Sequence, residues 1–176
     1  KGSDTLAQEL LGKLLVHKID AGVLKGKIVE TEAYFTDGDK ASHSFSRINS
    51  RKFFEGNKPG TSYVYLNYGK YWLFNILSRN GAVLIRAIEP LDGIKFMQKS
   101  RKVEDIFNLG SGPGKLTIAL GINKKHHGID LTKGNLTLVD NKDKFEIKTA
   151  KRIGITKEKH KLLRFYIKNN KFISAK

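Results

Sequence analysis

The sequence predicts an α+β fold: a single mixed domain over residues 1–176, with a curved, mostly antiparallel sheet, flanking helices and a protruding β-hairpin. Three observations point there. Apolar and aromatic residues alternate with polar ones in short runs joined by tight turns, the pattern of strands that are neighbours in the chain and in the sheet. A few stretches carry helical spacing instead, and they stand between the strand runs. No internal repeat, low-complexity linker or composition break divides the 176 residues, and a chain near this size can bury roughly 70% of its unfolded surface in one core.

Taken in order, Ser3 and Asp4 read as an N-cap, with Gln8 and Glu9 behind them and Leu6, Leu10, Leu11 and Leu14 at helical spacing. LLVHKID and VLKGKIVETEAY read as two strands around a turn at DAG. From Asp37 to Gly60 the chain is polar and reads as a loop. SYVYLNY and KYWLFNILS flank Tyr68-Gly69, a hairpin pattern with a tyrosine where a turn normally has something small. GAVLIRAIEP is a further strand that Pro90 stops. LDGIKFMQKSRK reads as a helix, and SGPGKLTIALGI sets a glycine-proline loop ahead of another. LTLVD, FEIKTAKRIGI and LLRFYIKNNKFIS complete the sheet as three more strands.

Charge and composition narrow the function. Lys+Arg 33 against Asp+Glu 17 gives a formal net charge of +16. Such an excess suits a polyanion, because each neutralised phosphate releases condensed counterions. Nucleic acid is the expected polyanion rather than a membrane, since no segment pairs a basic face with a clean apolar face at helical spacing. There is no cysteine, which excludes a disulfide framework, a thiolate zinc site and a cysteine nucleophile. No run of about 18 apolar residues and no signal-peptide core is present, so a membrane span is excluded and cytosol is the expected compartment. His126-His127 beside Asp130 lacks a third well-spaced ligand, so no metal is expected there.

Chemistry concentrates in KIVETEAY. Strand alternation puts Ile28, Glu30, Glu32 and Tyr34 on one face and Val29, Thr31 and Ala33 on the other. The face is either solvated or the wall of a cleft, where a partly desolvated carboxylate has a raised pKa and takes a proton from water. Two carboxylates two residues apart on one strand sit on the same side of any substrate. They cannot flank a glycosidic bond as an acid–base pair does, so one general base is the better reading.

The blocks GKIVETEAYFTDGDKASHSF, KPGTSYVYLNYGKYWLFNI, VLIRAIEPLDGI, SGPGKLTIALGI and LLRFYI, in that order, resemble the alkyladenine (3-methyladenine) DNA glycosylase family of the mammalian type. The similarity runs from LAQELLGKLLV to LLRFYI. VETEAY, YVYLNYG and RAIEP are specific together and weak singly. The resemblance implies that the hairpin enters the minor groove and that Tyr68 fills the gap left by a flipped nucleotide. It implies an aromatic base pocket of Tyr34, His43 and Tyr65, with Asn75 crowding the 2-amino group of normal guanine. Aromatic faces also attract cationic alkylated bases by about 0.5–2 kcal/mol. Glu32 corresponds to the residue that activates water, and Arg86 to an arginine beside that water. Tyr71, Arg51, Lys70 and Lys115 are the further expected DNA contacts, Lys115 through a phosphate cradle at SGPGKL.

The implied enzyme is a monofunctional hydrolase that leaves an abasic site, without cofactor or metal. Its partner is double-stranded DNA carrying a damaged purine, met by a monomer, in the cytoplasm (nucleoid) of a bacterium or the nucleus of a eukaryote. Two departures stand out. Arg51-Lys52 replaces an Arg-Asn pair, and Lys70 occupies a place where a hydrophobic residue is common. A non-catalytic nucleic-acid-binding module is the rival reading, and it has no use for a carboxylate at Glu32. The first residue is not methionine, which leaves room for a native N-terminal extension.

Overall fold

A computed structural model describes residues 1–175. Its centre is an eight-stranded sheet in the order β3-β4-β5-β2-β1-β6, with β8 on β2 and β7 on β8. The strands are β1 (Leu14–Ile19), β2 (Gly22–Phe35), β3 (Ser62–Asn67), β4 (Tyr71–Ser78), β5 (Gly81–Asp92), β6 (Leu136–Val139), β7 (Ile147–Ala150) and β8 (Arg164–Ile167). Every pairing is antiparallel. The long β2 is the spine. One edge pairs β5 from Lys25 to Phe35, and the other is shared by β1 and, at Glu30–Glu32, by β8. Register shifts at Lys25/Gly26, Ile28/Glu30 and Glu30/Thr31 bend it, as bulges do, and so curl the sheet.

The helices are α1 (Ser3–Leu10), α2 (His43–Ser46), α3 (Ile48–Gly56), α4 (Ile94–Arg101) and α5 (Pro113–Ala119). α1 lies on one face of the sheet, where the Thr31 hydroxyl donates to the Ala7 carbonyl at 2.8 Å. α5 packs on β4 and β5, and the Thr117 hydroxyl donates to Trp72 C=O at 2.8 Å. Ile28, Val29, Phe74, Ile85, Met97 and Leu116 fill the core between. None of the helices is long and apolar enough to cross a membrane among the described residues.

Several expectations need correction. Ser3 caps nothing: Gly2 is the N-cap and no side-chain cap bond forms. The Ser3 hydroxyl is buried against Tyr34 C=O (3.0 Å), and the Ser3 N–H is taken by the Asn80 side chain at 2.9 Å. The helix start is therefore satisfied from across the sheet rather than locally. The polar stretch 37–60 is not a continuous loop but carries α2 and α3, and Phe53 and Phe54 of α3 pack on the second small core of Tyr63, Leu77 and Ala82. Pro90 does not stop β5, which continues to Asp92 with Pro90 opposite Gly26. The register shift at that spot breaks the ladder and removes the need for the missing N–H. FEIKTAKRIGI and LLRFYIKNNKFIS form strand only over Ile147–Ala150 and Arg164–Ile167. Residues 151–163 leave the sheet and return over its face, for a reason that appears at the site.

Candidate active site

An open cavity of about 660 Å³ lies on the face of β2, β4 and β5 opposite α1, and Tyr34, His43, Tyr65, Asn75 and Arg86 all line it. Register explains the convergence. Glu32 pairs with Leu84 and Tyr34 with Ala82, while Asn75 pairs with Leu84 from the other side. Glu32 and Tyr34 of β2 and Ala82 and Leu84 of β5 thus face the same way as Asn75. β3 adds Tyr63 and Tyr65, α2 begins with His43, and residues 153–157 form the far wall.

Glu32 has no exposed surface. It lies directly behind the floor made by Arg86, Tyr34 and Ile153. Its Oε1 accepts the Ile153 amide at 2.7 Å. Its Oε2 accepts the Tyr34 hydroxyl at 2.8 Å and Arg86 Nη1 at 3.3 Å. Burial pushes the carboxyl above the usual range, and outweighs the opposing pull of Arg86, the amide and the hydroxyl. Glu30 is equally buried but differently spent. It takes Arg164 Nη1 at 3.2 Å and the Ser174 amide and hydroxyl at 2.5 and 3.0 Å, and its Oε1 stands 3.7 Å from Arg86 Nε. With its lone pairs committed, Glu30 holds the rear of Arg86. Glu32 faces the cavity side of the same arginine.

The aromatic wall is stiff. His43 and Tyr65 rings lie 4.3 Å apart, and Tyr63 and Tyr65 5.3 Å apart. Tyr63 is held by its hydroxyl to Ser50 (2.9 Å) and approaches His43 Nδ1 at 3.4 Å. Burial, with Arg47 nearby, lowers the His43 pKa to about 4, so its imidazole is neutral near pH 7. The Asn75 Nδ2 donates to Tyr63 C=O at 3.0 Å, which commits its donor to the backbone and leaves Oδ1 as its free polar atom among the described residues.

The hairpin tip stands at the rim. Lys70 N–H returns to Asn67 C=O at 3.0 Å, and Tyr68 and Gly69 both have left-handed φ, 51° and 64°. Tyr68 is 89% exposed. A bulky residue in that conformation, out in solvent, is a local strain without a packing reason. Tyr71 rests on α5, where a Cβ on Gly114 would come within 3.0 Å of the Tyr71 Cβ.

Seven of the expected residues therefore line one cavity, Arg86, Tyr34, His43, Tyr65, Asn75, Tyr68 and Tyr71, and Glu32 lies directly behind its floor. The remaining three do neither. Arg51 is gripped by Asp37 (3.0 Å) and Glu55 (2.9 Å) on α3. Lys115 is bonded to the Asn108 side chain. Lys70 lies with Nζ 5.5 Å from the Tyr71 ring centroid. Besides Arg86, the cations that line the cavity are Lys40, Arg47 and Lys157, which nothing in the local sequence marks out from the other lysines and arginines. Ile153, Arg152 and Asp39 were also missed, because they reach the site only through tertiary bonds. His126 and His127 are bonded to His17 (3.2 Å) and to the Val64 amide (3.1 Å), and Asp130 to Lys58 (2.8 Å).

A family model described as methylpurine-DNA glycosylase matches residues 1–171. A Clostridium perfringens (strain SM101 / Type A) protein is 45% identical over 193 residues, covering 98% of this chain and 94% of its own. A Mesorhizobium japonicum protein is 45% identical over 176 residues (97% and 84%), and one from Clostridium tetani 44% over 194 (100% and 96%). All three carry the name "Putative 3-methyladenine DNA glycosylase".

Proposed function

The chain belongs to the methylpurine-DNA glycosylase family, and on that premise we propose that it flips alkylated or deaminated purines out of duplex DNA and hydrolyses their N-glycosidic bonds. The observation that carries this reading is a buried carboxylate, Glu32, paired with Arg86 under the floor of an aromatic-lined cavity whose rim bears an exposed tyrosine.

Tyr68 enters the duplex and takes the place of the extruded base, replacing part of the lost stacking. The base enters between the tyrosine and histidine rings, and Lys40, Arg47 and Lys157 meet the flanking phosphates. Arg51 reaches phosphate only by exchanging a carboxylate partner. Lys70 and Lys115 stand as further backbone contacts beside the hairpin. At the floor, Arg86 Nη1 and the Ile153 carbonyl meet at 3.5 Å and close over Glu32, so the attacking water reaches the carboxylate when this contact opens. The water oxygen attacks C1′ of the deoxyribose and its proton passes to Glu32. The C1′–N bond breaks with its electron pair going to the base. Glu32, as carboxylate, also offsets the positive charge that develops on the sugar. A cationic alkylpurine leaves as a neutral base and needs no acid, whereas hypoxanthine needs a proton. The Asn75 side chain disfavours guanine by crowding the position its 2-amino group would occupy. The enzyme acts as a monomer through one domain and is monofunctional, leaving an abasic site.

One observation favours a second reading. Glu32 has no exposed surface, as expected of a structural residue in a non-catalytic DNA-binding module. Duplexes carrying a single hypoxanthine, ethenoadenine or 7-methylguanine separate the two. Wild type is expected to release base and Glu32→Gln to be slower by about 10²–10⁴-fold, with unchanged duplex binding. Binding by both proteins with release by neither establishes the binding module. A borohydride-trapped covalent adduct would overturn the monofunctional assignment.

A further inference from the structure

We infer that Asp39 and Arg152 form a positioning pair that holds the Ile153 amide against Glu32 and the Tyr34 ring against the cavity; the inference rests on the glycosylase reading above. Neither residue touches the base or the reacting carbon. Both are fully buried at the side chain, and they meet through two parallel bonds, Nη1–Oδ2 at 2.6 Å and Nη2–Oδ1 at 2.8 Å.

Three stretches of backbone converge on this pair. Arg152 Nη1 donates also to Ala33 C=O at 3.0 Å, between Glu32 and Tyr34 on β2. Asp39 accepts the Phe35 and Ala41 amides at 3.1 and 3.2 Å, at the end of β2 and just before His43. Arg152 is itself the neighbour of Ile153, whose N–H reaches Glu32 at 2.7 Å and whose C=O meets Arg86. The guanidinium also lies 4.5 Å from the Tyr34 ring centroid. One ion pair thus sets the distance between the strand carrying Glu32 and Tyr34, the segment leading to His43, and the wall at 153–157.

The location explains the need. β7 ends at Ala150 and β8 begins at Arg164, so no ladder of backbone bonds fixes the intervening residues around Ile153. A charged pair in a dry interior is a poor way to gain stability, since well-packed apolar residues of similar volume commonly do as well. Here the Arg152 Nε is in addition buried without a partner. What an apolar pair cannot supply is direction. The bidentate geometry fixes orientation as well as distance, and catalytic carboxylates are sensitive to displacement on the scale of 1 Å. Burial pushes the Asp39 carboxyl up, but the Arg152 bonds and the two amides hold it below the usual range. The pair therefore stays charged throughout the working pH range.

The test uses Asp39→Asn and Arg152→Met with three readouts: thermal midpoint, the titration of the Glu32 carboxyl by NMR of ¹³C-carboxyl-labelled protein, and single-turnover hypoxanthine release against pH. The groups facing Glu32 are Arg86, Glu30, Tyr34, Tyr65 and Arg152. Only Arg152 changes, and only in Arg152→Met, where the lost cation by itself raises the Glu32 titration; Asp39→Asn, which keeps Arg152, therefore decides the positioning claim. Loosening the Ile153 amide removes a donor from the carboxylate. Glu32 is then expected to titrate at higher pH than in wild type, and the acid limb of the rate profile to move with it. The plateau rate is expected to drop by about 10²-fold, with Arg152→Lys recovering part of it. A purely structural role predicts a lower midpoint with the Glu32 titration and the limb unmoved, and that result overturns the inference. Should Arg152→Met fail to fold, the near-isosteric Asp39→Asn carries the decision. Should wild type release no base, the glycosylase reading fails, while the Glu32 titration still decides the positioning claim.

Discussion

Tyr68 combines a φ of 51° with 89% exposure. A left-handed conformation costs an L-residue about 1–2 kcal/mol, and no burial offsets it here. Tyr68→Gly is expected to keep or raise the thermal midpoint while slowing base release about 10–100-fold, the loss of one base-sized stacking contact. A lower midpoint with unchanged release would mark Tyr68 as a hairpin-packing residue. Alternation along KIVETEAY places both glutamates toward one face, yet cannot say which is free to act. That choice is made by Ser174 and Arg164, which lie 144 and 134 residues away and saturate Glu30.

The hairpin of β3 and β4 is legible because its strands alternate and its turn contains glycine. Its support is not. α5 approaches so closely at Gly114 that an added Cβ would lie 3.0 Å from Tyr71 Cβ and 3.1 Å from Cγ. Gly114→Val is expected to push Tyr71 and the tip aside, lowering duplex base release by about tenfold or more with only a modest loss of midpoint. Measured release from a single-stranded substrate should fall less, since no wedge is needed there. Unchanged duplex release would show that the tip does not depend on α5. The stretch 37–60 was the least legible element. Its polar composition suggests a loop, but α3 is held by Phe53 and Phe54 on the Tyr63 cluster, a contact partner ten residues further on in another strand.

For the molecule as a whole, the net charge of +16 dictates strong salt dependence of DNA binding. Arg47→Gln is expected to weaken binding of all duplexes alike and to reduce the slope of log K against log salt by about one. An unchanged slope would remove Arg47 from the phosphate contacts. Acid acts through the histidines. His43, His126 and His127 all have pKa values lowered from 6.5 by burial, His43 to about 4. Below pH 6.5 the unfolded chain takes up protons that the folded protein refuses, so stability is full above that pH and declines as pH falls toward the lowered values. The urea midpoint is accordingly expected to be lower at pH 5.5 than at pH 7.5, and His126→Gln should lessen the difference. A midpoint equal at both pH values would contradict the burial of these rings.

Local pattern in the sequence was enough to indicate most of the strands, the hairpin with its tyrosine, the excess of positive charge and, by resemblance, seven of the residues that line the cavity. These depend on period, turn chemistry and residue type, which are properties of neighbours in the chain. Tertiary structure alone decided that Glu32 is buried and held by Ile153, that Glu30 is consumed by Arg164 and Ser174, that Arg51 is occupied by carboxylates, and that Asp39 and Arg152 tie three segments together. Each of those depends on which distant groups a folded chain brings within hydrogen-bonding distance, and on the water it excludes in doing so.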